Sequence, residues 1–412
     1  MFIADLHIHS KYSRATSKDM EVLSMYKWAK MKGVKVLGTG DFTHPHHLND
    51  LKTNLEPLGN GLFKMKGEKE DVCFLLTTEI NNVFSTRGKG RRIHTLIFAP
   101  SFEVVERINA RFSHYGDLSI DGRPTFSFPT KELVKIVLDI SEDCLIVPAH
   151  AWTPWYGIFG SKSGFDSIEE CFEEETKYIY AIETGLSSDA SMNWRLSALD
   201  NLTLISNSDA HSGSKIGREA NVFHCNLDYY EIVNTIKNKD RNRLIATIEF
   251  YPTEGKYHFD GHRKCNVVFS PQETKKHNYI CPVCGKRLTV GVMHRIEDLA
   301  DRPEGFRPIG VVPEIHLVPL EQIIAEALGV QTTTKAVHEE YKNLISAGGS
   351  EFSILLQLST EELSKFIPPH ILEGIIRVRE GKLFIKPGFD GVYGEIKIFD
   401  SERPKEKQAR LF

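Results

Sequence analysis

The sequence predicts an α/β protein built around a barrel of parallel strands. Short apolar segments recur through the first half of the chain, amphipathic stretches separate them, and most of them end at a side chain that can bind metal. The seven segments begin at or near Asp5, Val34, Cys73, Ile93, Leu145, Tyr178 and Leu202. The carboxyl ends of strands meet at one mouth of a parallel barrel, whereas an open doubly wound sheet spreads them along a line.

The first of these segments alternates in chemistry. Asp5, His7 and His9 share one face of a strand, and Leu6 and Ile8 share the other. Carboxylate and neutral imidazole are metal ligands, so the polar face indicates a bound cation, with a water-facing edge strand as the alternative. His7 and His9 are the expected ligands, and Asp5 is expected to orient an imidazole.

Further side chains of the same type lie at or just past the ends of most later strands, and His94 lies near the start of one. A single histidine beside a strand is usually packed or solvated, but a series in one phase favours a shared metal site. The series consists of Asp41, His44, Glu79, His94, His150, Asp209 and His211.

Helices are expected between the strands. In the first helix, apolar residues recur at helical spacing at Leu23, Met25 and Ala29. Ser17 or Asp19 is its expected N-cap, and Gly33 is its expected end. Further helices are predicted over 131–139, 191–200 and 229–238, before a strand in the sequence IATIEFYP.

Composition restricts the class of protein. A chain of 412 residues with 41% hydrophobic and 26% charged residues fits two or three globular domains. The net charge of −4 argues against a protein that is basic overall, but not against a local basic groove. The seven cysteines are mostly scattered, and neither a secretory signal nor an apolar run of membrane length is visible, so we expect a cytoplasmic protein with reduced thiols.

One group of cysteines is clustered. Cys281 and Cys284 form a C-x-x-C-G knuckle, and His262 and Cys265 repeat its spacing 16 residues earlier. The four side chains predict a closed, tetrahedral structural zinc site. A disulfide or unligated thiols are the alternative, and the rival fourth ligands are His258 and His277.

These features divide the chain into four parts. We predict a barrel over 1–255, a zinc-binding module over 256–300, a Pro-rich linker over 301–330 and a mostly helical module over 331–412 that ends in a β-hairpin. Helices are expected over 320–328, 333–346 and 360–367, with a short helix leading to 375–381.

The motifs resemble those of a known superfamily. DLHIHS, Asp41, Glu79, His94, His150 and the Asp209-Ala-His211 triplet are similar to the motifs of the PHP (polymerase and histidinol phosphatase) superfamily. The stretches VLGTGDFTHP, VPAHAWTPW, YHFDGHRKC, CPVCGKRLTVGVMHR and REGKLFIKPGFDGVYGEIKIF resemble the endonuclease Q family over almost the whole chain. The resemblance implies a distorted (β/α)7 barrel with up to three metal ions, followed by the zinc module and the C-terminal module.

The resemblance also implies a ligand set. His7, His9, Glu79 and Asp209 would hold one metal, and Glu79 would bridge to a second that is bound by His94 and His150. A third would use His211 with Asp41 or His44. The superfamily has a histidine where this chain has Ala15, and its Asp-His pair is here Asp41-Phe42. Arg14 could replace part of that missing charge by contacting a phosphate. Zinc is the expected cofactor, with manganese, magnesium or iron as alternatives in the barrel.

The implied function is a DNA-repair endonuclease that flips a base out of the helix. It would cut the phosphodiester 5′ to uracil, hypoxanthine, xanthine or an abasic site, with two metals ~3.5–4 Å apart activating water. The expected catalytic residues are Asp209, Glu79, His150 and Arg14. The alternatives are a PHP phosphatase acting on a small phosphoester and a non-catalytic nucleic-acid-binding module.

DNA is the expected partner, and several groups of residues are candidates to contact it. Each group has a plainer alternative, either a solvated basic turn or rings that pack the barrel rim. The basic turn contains Arg87, Lys89, Arg91 and Arg92, and the aromatic loop contains Trp152, Trp155, Tyr156 and Phe159, followed by Ser161, Lys162 and Ser163. A basic patch around the zinc module contains Lys264, Lys275, Lys276, Arg287 and Arg295. The tail Gln408 to Phe412 weakly resembles a sliding-clamp peptide.

Overall fold

All seven apolar segments are strands in the computed structural model, which describes residues 1–69 and 71–399. The strands are β1 (Phe2–Asp5), β2 (Val36–Gly38), β3 (Leu55–Pro57), β4 (Phe63–Met65), β5 (Cys73–Thr86), β6 (Lys89–Ala99), β7 (Thr125–Phe126), β8 (Leu145–Pro148), β9 (Ala181–Glu183), β10 (Thr203–Ile205), β11 (Ala220–Phe223), β12 (Leu244–Glu249), β13 (Asp260–His262), β14 (Val267–Phe269), β15 (Glu314–His316), β16 (Phe384–Lys386) and β17 (Glu395–Lys397). The helices are α1 (Val22–Lys32), α2 (Pro45–Asn54), α3 (Phe102–Phe112), α4 (Thr130–Ile140), α5 (Ile168–Phe172), α6 (Ala190–Asn193), α7 (Tyr229–Lys237), α8 (Pro271–Lys276), α9 (Val292–Leu299), α10 (Leu320–Leu328), α11 (Lys335–Gly348), α12 (Thr360–Leu363) and α13 (Pro369–Arg379).

The central sheet is mixed rather than parallel. β1, β2 and β5 are parallel neighbours, but β6 runs antiparallel to both β5 and β8, and β11 runs antiparallel to β1 and β12. The expectation of an all-parallel barrel is therefore wrong. The cause is the turn between β5 and β6, where Arg87 and Gly88 both have positive φ, because a two-residue turn of this kind can join only antiparallel strands.

A parallel pair, β9 and β10, lies between β8 and the start of the chain. The Ala151 N–H donates to Glu183 O at 2.9 Å, and Ile8 forms a bridge with Ala210. The side chain of Asn207 accepts from the Leu6 N–H at 2.9 Å. Isolated backbone bonds and one side-chain bond therefore connect β9 and β10 to the segments on either side.

Strand alternation separates two apolar cores. Cys73 and Leu75 of β5 pack in one cluster with Ala4 and Val147, whereas Phe74 of the same strand packs in the other cluster with the residues of the flanking helices. Because successive side chains of a strand point to opposite faces, each face has its own core.

Most predicted helices are present, with two corrections. Gly33 ends α1 with φ 87°, as expected, but the N-cap of α1 is Glu21, so neither Ser17 nor Asp19 caps it. The helix predicted over 191–200 is divided into the short α6 and a 3-10 turn over Ser197–Leu199, and between them the Arg195 carbonyl accepts from the backbone N–H groups of residues 301 and 302.

The segment 301–330 is not a linker. Its strand β15 pairs in parallel with β12, and its helix α10 packs against α11 and α13. The high Pro content of this segment predicted a linker, whereas the segment contains a strand that adds to the edge of the central sheet.

The C-terminal helices share the main apolar core with the first part of the chain. Ile323, Ile354 and Leu363 belong to the same cluster as Met25 of α1. A buried ion pair also joins Lys32 of α1 to Glu351, with 2.6 Å between Nζ and Oε2.

The described residues end with the expected hairpin, in which β16 and β17 are antiparallel. The tail 408–412, with its proposed clamp peptide, lies outside the described residues. Across residues 1–69 and 71–399, helices long and apolar enough to cross a membrane are absent.

Candidate metal centre

Polar residues that lie within β5 and β6 or just after β1 and β8 converge in one place. His7 and His9 follow β1, Glu79 lies within β5, His94 lies within β6, and His150 follows β8. All five side chains are buried. Such burial is unfavourable for ionisable groups unless they are paired or bind metal.

The first group contains His7, His9, Glu79 and Asp209. The distance from His9 Nε2 is 3.4 Å to Glu79 Oε2 and 3.0 Å to Asp209 Oδ1. His7 Nε2 is 3.6 Å from the same Asp209 oxygen and 3.9 Å from Glu79 Oε1. His7 Nε2, His9 Nε2 and Asp209 Oδ1 are buried and have no hydrogen-bond partner among the described residues. Buried polar atoms without partners that face a common point fit a divalent cation.

The second group shares Glu79 with the first. Glu79 Oε1 is 2.7 Å from His94 Nδ1 and 2.9 Å from His150 Nε2, and these two ring nitrogens are 3.2 Å apart. The other oxygen of Glu79 faces His9. The structure thus places Glu79 between the two groups, as a bridging carboxylate would be.

A third group of donors contains His9, Asp209 and His211. His211 Nδ1 faces the Asp209 backbone carbonyl at 2.9 Å and is 3.6 Å from its carboxylate. Asp41 and His44 do not join it. Both Asp41 oxygens are occupied, by His9 Nδ1 and by the Ser10 and Ser13 hydroxyls, and His44 Nε2 faces the Ser119 carbonyl at 3.0 Å.

Two outer carboxylates fix the histidine rings. His7 Nδ1 lies 3.0 Å from Glu183 Oε1, and His9 Nδ1 lies 3.0 Å from Asp41 Oδ1. A carboxylate can only accept, so each Nδ1 carries a proton and each Nε2 is the nitrogen that faces the centre. This donor set fits metal ions, because a bound cation would replace the proton on Nε2 while the carboxylate keeps the proton on Nδ1.

Asp5 acts on the backbone rather than on a ring. Its carboxylate accepts from the Ser208 N–H at 3.0 Å and the Gly217 N–H at 2.8 Å. The expectation that Asp5 orients an imidazole is wrong, because Glu183 and Asp41 do so. Asp5 instead holds the loop that carries Asp209.

The pKa shifts show how the charges are balanced. Burial lowers the pKa of His7, but the Glu183 and Asp209 carboxylates outweigh it and raise that pKa to about 9. Burial lowers the pKa of His94 to about 4, so this ring is neutral at physiological pH. Burial opposes ionisation of Glu79, but the nearby His94 and Arg123 hold its pKa well below the usual range.

Three residues of the centre have strained backbones. Asp41, His150 and Asp209 have φ values of 44°, 30° and 47°, in the left-handed region that non-glycine residues rarely adopt. Such strain costs about 1–3 kcal/mol per residue and is concentrated at functional sites. The centre is therefore built at the expense of local backbone stability.

Comparison with known proteins agrees with this centre. A family model, the MJ0043 C-terminal domain, matches residues 319–382. The uncharacterized protein MJ0043 of Methanocaldococcus jannaschii is 35% identical over 261 residues, or 60% of this chain, and the match spans only 31% of that relative's length. The lesion-specific endonuclease PfuEndoQ of Pyrococcus furiosus is 32% identical, with a TM-score of 0.85 over 96% of this chain and 95% of its own. The chain belongs to the endonuclease Q family. A second endonuclease Q structure, with a 27-mer duplex that has an abasic lesion at the active site, matches with a TM-score of 0.84 at 32% identity over 97% of both chains.

Membership of the endonuclease Q family makes this chain a metal-dependent phosphodiesterase of the nuclease class, as the sequence predicted. A cavity of about 500 Å³ opens beside the metal centre. The residues that line it include His94, His150, Asp209, Arg14 and Arg123.

Arg123 is an arginine that contacts the metal centre. Its Nη1 is 3.1 Å from Glu79 Oε2 and its side chain is mostly buried. Arg14 lines the cavity farther out, where its side chain is 78% exposed and pairs with Asp121 at 3.3 Å. The sequence analysis missed Arg123, which lies in a loop without a motif. It also missed the role of Glu183, although this residue ends a predicted strand in phase with the ligand-type residues.

The aromatic loop divides into buried and cavity-facing rings. Trp152 and Phe159 are each 1% exposed, and Trp152 donates from Nε1 to Asn193 at 2.8 Å. These two residues pack in the core, so they do not belong to a base pocket. Trp155 and Tyr156 line the cavity, and the Tyr156 ring lies 4.4 Å from the His94 ring.

The polar end of that loop is partly structural. The Ser163 hydroxyl accepts from the Tyr156 N–H at 3.2 Å and donates to the Arg92 carbonyl at 3.3 Å. Ser161 and Lys162 are exposed.

The basic turn is the tip of the β5–β6 hairpin. Arg87, Lys89 and Arg92 are exposed there. Arg91 is held within the protein, because it donates to the Gly164 carbonyl and lies 4.0 Å from the centre of the Phe165 ring.

The predicted zinc ligands meet in the structure. His262, Cys265, Cys281 and Cys284 each offer a donor atom, and these atoms lie within 4.8 Å of one another. Cys284 Sγ is 3.4 Å from His262 Nδ1. His277 instead stacks on Phe269, with 4.7 Å between ring centroids, so it does not compete for this site.

The module is docked on the rest of the chain through Arg295. This side chain donates to the carbonyls of Phe159 and Phe165 at 3.0 and 2.9 Å and pairs with Asp166. Arg295 therefore belongs to an internal contact rather than to the basic patch. Lys264, Lys275, Lys276 and Arg287 remain exposed.

Proposed function

We propose that this chain is a DNA-repair endonuclease that cuts the phosphodiester 5′ to a deaminated base or an abasic site. The observation that carries the proposal is the buried cluster of unpartnered nitrogen and oxygen atoms from His7, His9 and Asp209, beside a cavity that opens to solvent. An endonuclease Q structure with an abasic-site duplex at its active site supports DNA as the substrate.

The residues of the metal centre would bind up to three ions. His7, His9, Glu79 and Asp209 would hold one ion, Glu79 with His94 and His150 a second, and His211 with Asp209 a third. When bound, such ions supply an activated water and polarise the phosphoryl oxygen. Glu183 and Asp41 would keep the His7 and His9 rings in the binding tautomer.

Arg123 would stabilise the negative charge of the scissile phosphate. It lies 3.1 Å from Glu79 and lines the cavity, so its guanidinium faces both the metal-binding carboxylate and the substrate space. Arg14, at the outer part of the cavity, would contact a flanking phosphate.

The base would be recognised at Trp155 and Tyr156. Trp155 is 40% exposed and lies beside Tyr257, with 6.1 Å between their ring centroids. An extruded base needs an aromatic face to replace its lost stacking, and these rings supply one at the cavity. The exposed Arg87, Lys89 and Arg92 would bind the backbone of the flanking duplex.

Zinc is the proposed ion of the cluster formed by His262, Cys265, Cys281 and Cys284. Three thiols and one imidazole at mutual distances below 4.8 Å suit a closed tetrahedral site. This ion would stabilise a module that has only a small apolar core of its own, around Val267 and Leu288.

The test is a nicking assay on end-labelled duplexes that contain uracil, hypoxanthine, an abasic site or no lesion, with and without a chelator. We expect cutting only of the damaged duplexes, a product whose length places the nick 5′ to the lesion, and loss of activity with the chelator. Asp209→Asn should abolish cutting, whereas Asp143→Asn, which changes an exposed aspartate, should not. Equal cutting of the undamaged duplex would contradict the proposal, as would unchanged cutting by Asp209→Asn.

A further inference from the structure

A second group of metal-type side chains lies outside the centre described above. Asp189, in the loop after β9, meets Glu314 and His316 of β15, and one donor atom of each lies within 4.8 Å of the others. None of these residues belongs to a sequence motif that we singled out.

The pairing of β12 with β15 places a further carboxylate, Glu249, beside this group. Glu249 is the register partner of His316, and Thr247 is the partner of Glu314. Paired residues of adjacent strands, and residues two apart on one strand, share a face of the sheet. The side chains of Glu249, Glu314 and His316 therefore lie on one face.

Only one of the two carboxylate oxygens of Glu249 has a hydrogen-bond partner among the described residues. Glu249 is fully buried, and its Oε2 accepts from the Thr184 hydroxyl at 3.0 Å. Its Oε1 is buried without a hydrogen-bond partner among the described residues. Burial, together with the Asp189 and Glu314 carboxylates, raises the pKa of Glu249 to about 8, so Glu249 lies close enough to this group to sense its negative charge.

The other carboxylates are held in place by one oxygen each. Asp189 Oδ1 accepts from the Ser191 hydroxyl at 2.7 Å and the Met192 N–H at 2.9 Å, while its Oδ2 lies 3.3 Å from His316 Nε2. Glu314 Oε2 accepts from the Ser191 N–H at 3.0 Å. The backbone thus orients these side chains before anything binds between them.

We propose that Asp189, Glu314 and His316 bind one divalent cation, separate from the metal centre and from the cysteine cluster, with the buried Glu249 beside them. Two carboxylates and one imidazole suit manganese or zinc, whereas calcium prefers oxygen ligands alone. The alternative is a simple ion pair of Asp189 with a protonated His316. That pair alone does not neutralise the Glu314 carboxylate, whose donor atom lies within 4.8 Å of both partners.

The cation would fasten β15 to the loop after β9. Leu186 and Ser187 of this loop line the cavity beside the metal centre. Binding would therefore fix one wall of that cavity, in addition to anchoring the segment that leads to the C-terminal helices. The proposal concerns occupancy and does not depend on the proposed nuclease function.

The first test is anomalous diffraction from crystals of the full-length protein soaked in manganese chloride, with data collected near the manganese and zinc edges. We expect a peak ~2.1 Å from the donor atoms of Asp189, Glu314 and His316. Peaks at the metal centre and the cysteine cluster but none at this position would overturn the proposal. The measurement uses the unaltered protein, so it does not depend on the folding of any variant.

The second test is the metal content of purified His316→Asn, measured by plasma mass spectrometry. We expect a loss of one equivalent of bound cation relative to the unaltered protein. The matched variant His224→Asn, which changes an exposed histidine, should retain the full content. Unchanged metal content in His316→Asn would show that the group is an ion pair and would refute the site.

Discussion

Replacing Glu183 by glutamine tests how the metal centre is held. Glu183 faces His7 Nδ1 at 3.0 and 3.1 Å, accepts from the His150 N–H at 2.8 Å and from the Asn207 side chain at 2.9 Å. Both of its oxygens therefore face donors. Glutamine keeps the shape but puts an N–H2 group where one of these donors needs an acceptor.

The expected effect follows from those contacts. A hydrogen bond to a charged group contributes about 1.5–3 kcal/mol, and changes in residues that orient metal ligands typically lower affinity or activity 10–100-fold. We expect Glu183→Gln to weaken metal binding within that range and to slow nicking even at saturating metal, because the His7 ring is no longer fixed.

The assay is competition against a chromophoric chelator, followed by nicking of a uracil duplex across a range of metal concentrations. Glu219→Gln is the matched control. Glu219 is also buried, but burial and the nearby Glu249 carboxylate raise its pKa well above the usual range, which favours the neutral carboxyl that glutamine resembles. We expect less than a twofold change in this control. Equal metal affinity and nicking rate in Glu183→Gln and the unaltered protein would refute the reasoning.

Three further outcomes are expected. Arg123→Met should lower the nicking rate 10²–10³-fold with unchanged metal content, whereas the exposed Arg107→Met should not, and a normal rate in Arg123→Met would exclude a phosphate role. In protein treated with a chelator, the raised pKa of His7 contributes folding stability that is complete below pH 6.5 and is lost as the pH rises through about 9. Urea denaturation should therefore show that the free energy of unfolding falls by roughly 3 kcal/mol over this range, and that it falls less in His7→Asn. Cys284→Ser should lose one zinc and lower the Tm, and retention of that zinc would rule out the four-ligand cluster.

Local patterns were sufficient to predict most strands and much of the centre. The alternation around His7 and His9, and the phase of Glu79, His94 and His150, place these side chains correctly because each depends on a nearby strand. The direction of a strand cannot be predicted in this way, since an apolar segment has the same pattern in a parallel and in an antiparallel strand. Only the turn at Arg87 and Gly88 indicates that β6 reverses.

The residues that sequence analysis misassigned or missed differ from the correct ones only in three-dimensional context. Asp41 follows a strand and Glu183 ends one, just as a ligand would, but each faces an imidazole Nδ1. Trp152 and Trp155 are three positions apart in one loop, yet the partner that buries Trp152, Asn193, comes from a distant segment. Neither distinction can be read from spacing.

The pairing of β15 with β12 has a consequence for how the chain folds. The edge of the central sheet at β12 is covered only when residues 314–316 are available, long after the first 255 residues have been synthesised. Until then, β12 presents an unpaired edge, which invites association with other chains. A chain truncated after residue 255 should therefore aggregate rather than fold as an autonomous enzyme, and during translation the nuclease would become competent only once the C-terminal segment emerges from the ribosome.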